Sequence, residues 1–181
     1  VTSRPNEADL IRRAQLGDRA AFEALVEEHG PGLYRYGLRM LGDEGTTQDC
    51  VQDTFLHAWT QLDGFRGDSS LSTWLFGIMA NLVRREYRRR SRRPTAELSD
   101  DVPARRTDEP EQEVQRSALL RALEEALAEL PPDQRACWIL REVEGLSYEE
   151  IALVQATTVG GVRGRLARAR ESLGLRMERW R

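Results

Sequence analysis

LREVEGLSYEEIA, residues 140–152, is the stretch that decides how the chain is read. Gly145 ends one apolar-periodic run. Ser147 opens the next with Glu150 three residues on, the spacing of a capping box, in which hydroxyl and carboxylate each satisfy a free backbone N–H. Leu146 and Ile151 stand where a hydrophobic staple forms. Upstream, Pro132–Glu144 sets Ala136, Ile139, Leu140 and Val143 at i, i+3, i+4 and i+7, one face of a helix. Downstream, Gln155, Ala156, Thr157 and Thr158 must turn the chain, so the helix between is short. VGGVRGRLARAR (159–170) then begins a helix with Val159, Val162, Leu166, Ala169 and Leu173 on one narrow face. Two short helices, a tight turn and an arginine-bearing third helix predict a helix-turn-helix, whose last helix enters the major groove.

On that last helix Arg163 and Arg165 fall on opposite flanks of the apolar face. The exposed centre falls to Gly160, Gly164 and Ala167, with Arg168 and Gly161 beside it. Flanking arginines suit phosphates, whereas glycines read no base edges.

The rest of the chain is helical in pattern, and the predicted fold class is all-α. A first helix over Asp9–Leu16 stops at Gly17, and a second starts at Asp18 with Ala21, Phe22, Leu25 and Val26 on one face. A third covers Leu33–Leu41. A fourth opens at Thr46 or Thr47 and carries Val51, Phe55, Ala58 or Trp59, and Leu62. A fifth, from Leu71 to Arg90, turns Leu71, Trp74, Leu75, Ile78 and Leu82 inward. Periodicity then fails over 94–112, where Pro94, Pro103 and Pro110 stand among charges, and resumes at Glu113–Leu130. The expected organisation is two small helical domains, 1–93 and 113–181, joined by a flexible acidic linker, 94–112.

Net charge is −3, but its distribution says more. All 27 basic residues are arginine. RREYRRRSRR (84–93) and the tail from Arg163 concentrate them, while Glu97, Asp100, Asp101, Asp108, Glu109, Glu111 and Glu113 lie between. Two basic patches around an acidic segment are a nucleic-acid footprint that the average conceals. Cys50 and Cys137 are far apart with no CxxC, so neither a zinc site nor a disulfide framework is expected. His29 and His57 lack partners at ligand spacing. No Walker loop, GxSxG or metal cluster supports an enzyme, and no metal or cofactor is expected. No apolar run approaches the ~20 residues of a membrane span, and Val1–Pro5 does not read as a secretory signal, so a cytoplasmic protein is expected.

The helix-turn-helix segments resemble the fourth region of extracytoplasmic-function (ECF) sigma factors. GDRAAFEALVEEH (17–29), QDCVQDTFLHAW (48–59) and FRGDSSLSTWLFGIMANLVRREYRRR (65–90) resemble, in order, that family's second region. The resemblance implies a bacterial transcription factor that binds RNA polymerase core and directs it to promoters. It implies that Asp49, Gln52, Asp53, Phe55, Leu56 and Trp59 grip the polymerase clamp helices, and that the core's flap is a further contact. The loop Phe65–Ser70, through Arg66, Gly67, Asp68, Ser69 and Ser70, would hold a base flipped from the minus-ten element, an extrusion that costs a few kcal/mol. Asn81, Arg84, Arg85 and Arg88 would contact the same element. Thr157, Thr158, Gly160, Arg163, Arg165 and Arg168 would meet the minus-thirty-five element. The linker would run toward the RNA exit path and active-site channel, and an anti-sigma protein would hold the factor inactive.

Two features depart from the family pattern. Its turn usually reads Leu-Gly-x-Pro, replaced by Gln155 to Thr158, and its small hydroxyl residues appear as Gly161 and Gly164. Both put the minus-thirty-five base preference in question, though recognition through DNA shape tolerates the loss. The competing reading is a helix-turn-helix repressor or activator that binds a palindrome without being a polymerase subunit. The loop and basic helix at 65–90 disfavour it, since such a protein needs no device for open DNA.

Overall fold

A computed structural model describes residues 6–92 and 111–178, and within them only helices and turns occur. Residues 94–110 of the expected linker lie outside the described residues.

α1 (Glu7–Gln15) is capped by Asn6 and followed by Gly17 at φ +86°. α2 (Arg19–Leu41) begins at the N-cap Asp18 and runs without interruption through Pro31. This corrects the expectation of two helices here. A proline inside a helix forfeits a hydrogen bond and costs about 3 kcal/mol. Leu33, Met40 and Leu41 are buried beyond it, each contributing about 1.5–3 kcal/mol, which offsets that cost. Gly37 is where α2 approaches its neighbours, since a Cβ there would stand 2.5 Å from Met79 and 2.9 Å from Thr47.

α3 (Glu44–Gln61) is capped by Asp43, whose carboxylate accepts from Thr46 N at 2.7 Å. Asp43, not Thr46 or Thr47, therefore opens it, and Thr47 is buried. One 3-10 turn, Leu62–Gly64, precedes the loop that leads to α4 (Leu71–Ser91).

α5 (Glu111–Ala128) starts two residues before the expected boundary. α6 (Pro132–Trp138) passes into a π-helical turn, Ile139–Val143, that replaces the regular end expected for that helix. Ile139 and Leu140 are both buried in it, and Leu140 O accepts from Leu146 N at 2.9 Å. α7 (Tyr148–Val154) and α8 (Val159–Arg176) complete the helix-turn-helix. The capping box forms in both directions, Glu150 N to Ser147 Oγ at 3.1 Å and Ser147 N to Glu150 Oε2 at 2.8 Å.

The two halves do not keep separate cores. Leu25, Tyr36, Phe76 and Met79 from the first join Cys137, Ile139, Leu140 and Ile151 from the second in one buried cluster, with α4 packed on α7. Tyr36 lies wholly inside this cluster near Arg84 and Cys137, and burial pushes its phenol up. A smaller cluster of Ala126, Leu127, Leu130, Ala169 and Leu173 closes α5 against α8. At the joint, Glu144 is only 5% exposed and Arg35 of α2 holds it at 3.2 and 2.8 Å.

Candidate nucleic-acid interface

Helical spacing on α3 turns Cys50, Thr54 and Ala58 inward and leaves Asp49, Gln52 and Leu56 outside. Leu56 is 60% exposed. Phe55 and Trp59 are half-buried, because both meet Phe22 of α2 edge-on, at 6.3 and 4.9 Å between centroids. Asp53 faces Arg85 of α4 at 3.9 Å. All six expected polymerase-facing residues thus lie on one side of α3 or its margin. Val26, Tyr34, Gln48, Val51, Gln52 and Phe55 line an open apolar groove beside them. Sequence reasoning missed Val26, Gly30 and Tyr34 as a set, although their spacing of four marks one stripe of α2.

The loop after the 3-10 turn begins with Phe65, whose ring lies 5.2 Å from that of Trp74. Gly67 has φ +77°, a conformation few other residues adopt. Arg66 and Asp68 stand in solvent 3.4 Å apart. Ser70 ends the loop as N-cap of α4, accepting from Thr73 N at 3.1 Å. The Ser70 and Thr73 hydroxyls also reach Glu150 Oε1 of α7, at 3.3 and 2.9 Å. The Ser147 backbone N–H and these hydroxyls hold the Glu150 carboxyl below the usual glutamate range. The capping-box carboxylate of the helix-turn-helix therefore also anchors the end of the loop.

Asn81, Arg84, Arg85 and Arg88 follow one another along α4. Asn81 Oδ1 accepts from Arg84 at 2.6 Å, and Arg84 lies 3.5 Å from Gln155 Oε1. The neighbouring arginines behave differently. Arg89 binds Glu86 through two bonds of 2.7 Å, and Arg90 binds it at 3.1 Å while donating to Leu41 O at 2.8 Å. Glu86 is buried and its carboxyl is held low by these guanidiniums. Part of the arginine run thus serves the fold, a role that Glu86 three and four residues earlier already signalled.

On α8, Thr158 is the N-cap and accepts from Gly161 N at 3.1 Å. A Cβ on Gly161 would stand 2.7 Å from Thr157 Oγ1, so glycine there makes room for a hydroxyl of the turn. Gly160, Arg163 and Arg168 are exposed. Arg165 is drawn back to Asp133 at 3.0 Å and is 22% exposed. Arg170 and Arg176 pair with Glu142 and Glu129, at 2.7 and 2.8 Å. Ala156 occupies the left-handed region, φ +48°, at the position where the family's turn carries glycine.

One half thus carries a helix-turn-helix and the other an exposed glycine loop leading into an arginine stripe, two surfaces whose chemistry suits nucleic acid. The family profiles for Sigma-70 region 2 and Sigma-70 region 4 match residues 25–93 and 120–173. The RNA polymerase sigma-H factor of Pseudomonas aeruginosa is 35% identical, covering 96% of this chain and 94% of that protein. The ECF RNA polymerase sigma-E factor of Haemophilus influenzae is also 35% identical, over 91% of each. Among solved structures, CnrH in complex with the cytosolic domain of CnrY superposes with TM-score 0.70 at 31% identity, over 93% of this chain and 95% of that one. The sigma factor RpoE in complex with the anti-sigma factor NepR from Bartonella quintana gives TM-score 0.71 at 28% identity, over 87% and 96%. The chain belongs to the ECF family of RNA polymerase sigma factors, regulatory subunits that direct transcription initiation at chosen promoters.

Proposed function

We propose a division of labour among the surfaces described. Asp49, Gln52, Asp53, Phe55, Leu56 and Trp59 of α3 dock on the polymerase core. Arg66–Ser70 hold the extruded minus-ten base, with Asn81, Arg84, Arg85 and Arg88 along the adjoining strand. Thr157, Thr158, Gly160, Arg163 and Arg168 meet the minus-thirty-five element, while Arg165 braces α8 against Asp133. The observation that carries this reading is the direct run from the exposed loop into the arginine stripe of α4, beside an α3 face that keeps Leu56 in solvent. The factor contributes no chemistry of its own and works in the cytoplasm, where polymerase and chromosome meet.

The two halves share a core, whereas the two elements lie about 25 base pairs, or about 85 Å, apart on B-DNA. Engaging both requires the halves to part. Both solved relatives cited are complexes, one with an anti-sigma factor by name. A comparable inhibitor is proposed for this chain.

The test is run-off transcription on fragmented GC-rich bacterial genomic DNA with related polymerase core, with and without the protein. New discrete start sites sharing an upstream motif support the reading and reveal the promoter. A silent core, with the protein alone gripping a palindrome, would replace it with a polymerase-independent regulator.

A further inference from the structure

α1 carries none of the DNA- or polymerase-facing residues, yet it is fastened along its whole length. Glu7 pairs with His29 of α2 at 2.9 Å. Leu10 and Ala14 are buried. Arg13 donates twice to Asp18, at 2.9 and 2.7 Å, across the turn at Gly17. The last residue of this anchored helix is Gln15. Its Nε2 lies 3.0 Å from Leu62 O and 3.0 Å from Phe65 O.

A primary amide has two N–H groups and can donate one to each carbonyl. These carbonyls bracket the 3-10 turn, which is closed internally by Phe65 N to Leu62 O at 3.0 Å. Gln15 clamps the same turn from outside. It fixes the peptide at which Phe65 ends and the exposed loop begins. The Phe65 ring is held separately on Trp74, and the far end of the loop is held by the Ser70 cap. Only Arg66, Gly67, Asp68 and Ser69 lie between these posts, so the posts determine where the loop's polar groups stand.

We infer that Gln15 is a positioning residue for the minus-ten loop: it touches no DNA, but it holds the loop in the shape that discriminates the extruded base. This rests on the reading of the loop as a base-holding device. Placement errors well below the length of a bond to the base are enough to weaken selectivity.

The experiment uses holoenzyme and single-stranded minus-ten oligonucleotides that differ only at the extruded base, with binding followed by fluorescence anisotropy. Gln15→Met keeps the length and packing of the side chain and removes both donors. It should narrow the affinity ratio between preferred and disfavoured bases about fivefold, part of the worth of the two lost hydrogen bonds. Core affinity should stay at the wild-type value. Gln15→Glu should narrow it further, because a carboxylate meets two carbonyl oxygens. Leu33→Ala, a core change in α2 away from the loop, should lower the melting temperature and leave the ratio alone. An unchanged ratio in Gln15→Met, with the ratio lost in Asp68→Ala, would overturn the positioning role. A ratio lost equally in Leu33→Ala would reduce it to general loosening. Unchanged ratios in both Gln15→Met and Asp68→Ala would remove the base-holding reading itself, and the inference with it.

Discussion

Arg163 stands in solvent on α8, while Arg165, two residues on, lies against Asp133 at 3.0 Å. Arg163→Ala should lower the salt dependence of promoter binding by about one unit of slope and leave thermal stability unchanged. Arg165→Ala should do the reverse, costing about 1 kcal/mol of stability with the slope intact. Salt titrations and melting curves on the two variants check both. Ala156 offers a second test. A non-glycine residue in the left-handed region costs about 1–2 kcal/mol, and glycine returns part of that through unfolded-chain entropy. Ala156→Gly should therefore stabilise the protein by about 1 kcal/mol, raising the melting temperature by about 3 °C. Residue types made Arg163 and Arg165 equal candidates for phosphate. Their separation comes from Asp133, thirty-two positions away, which no local pattern connects to either.

At the scale of elements, signals that are local in sequence proved readable, and those that depend on a distant partner did not. The capping box at Ser147 and Glu150 forms as its spacing predicts, because both partners lie within one turn. The helix Leu71–Ser91 and the short α7 were legible for the same reason. The apolar pattern sets a separate helix over Leu33–Leu41. α2 nevertheless continues, since the burial that repays the proline comes from α3 and α4. The π-helical turn at 139–143 had no sequence signature of its own and is tied to the burial of Ile139 and Leu140. The glycines of α8 also divide by environment. Beside Gly160 only Thr158 Oγ1 lies within 4 Å, at 3.8 Å, so Gly160→Ala should gain about 1 kcal/mol from helix propensity. Gly161→Ala must displace the Thr157 hydroxyl at 2.7 Å and should gain less. Denaturant unfolding of the two variants side by side gives the difference, and equal gains would show that Thr157 moves freely.

For the whole molecule, the order of the two halves was legible and their union was not, because no local pattern reports what a helix meets 70 residues away. Arg35 and Glu144, 109 positions apart, make the joint measurable. Arg35→Ala removes the cation that holds Glu144 only while the halves are joined, which, with Arg35 half in solvent, penalises that state by about 1 kcal/mol. The thiol of Cys137, buried near Tyr36, should then react with a thiol reagent several-fold faster, while Cys50, buried within the first half, keeps its slow rate. Equal acceleration of both would indicate general loosening instead of parting. The shared core has a thermal consequence as well. Separating the halves bares apolar surface around Tyr36, Phe76, Ile139 and Leu140, so the separation carries a positive heat-capacity change. Association held by such burial weakens on cooling. On the proposed parting of the halves, their balance would therefore respond to temperature before any partner arrives, and cold would favour the form able to span a promoter.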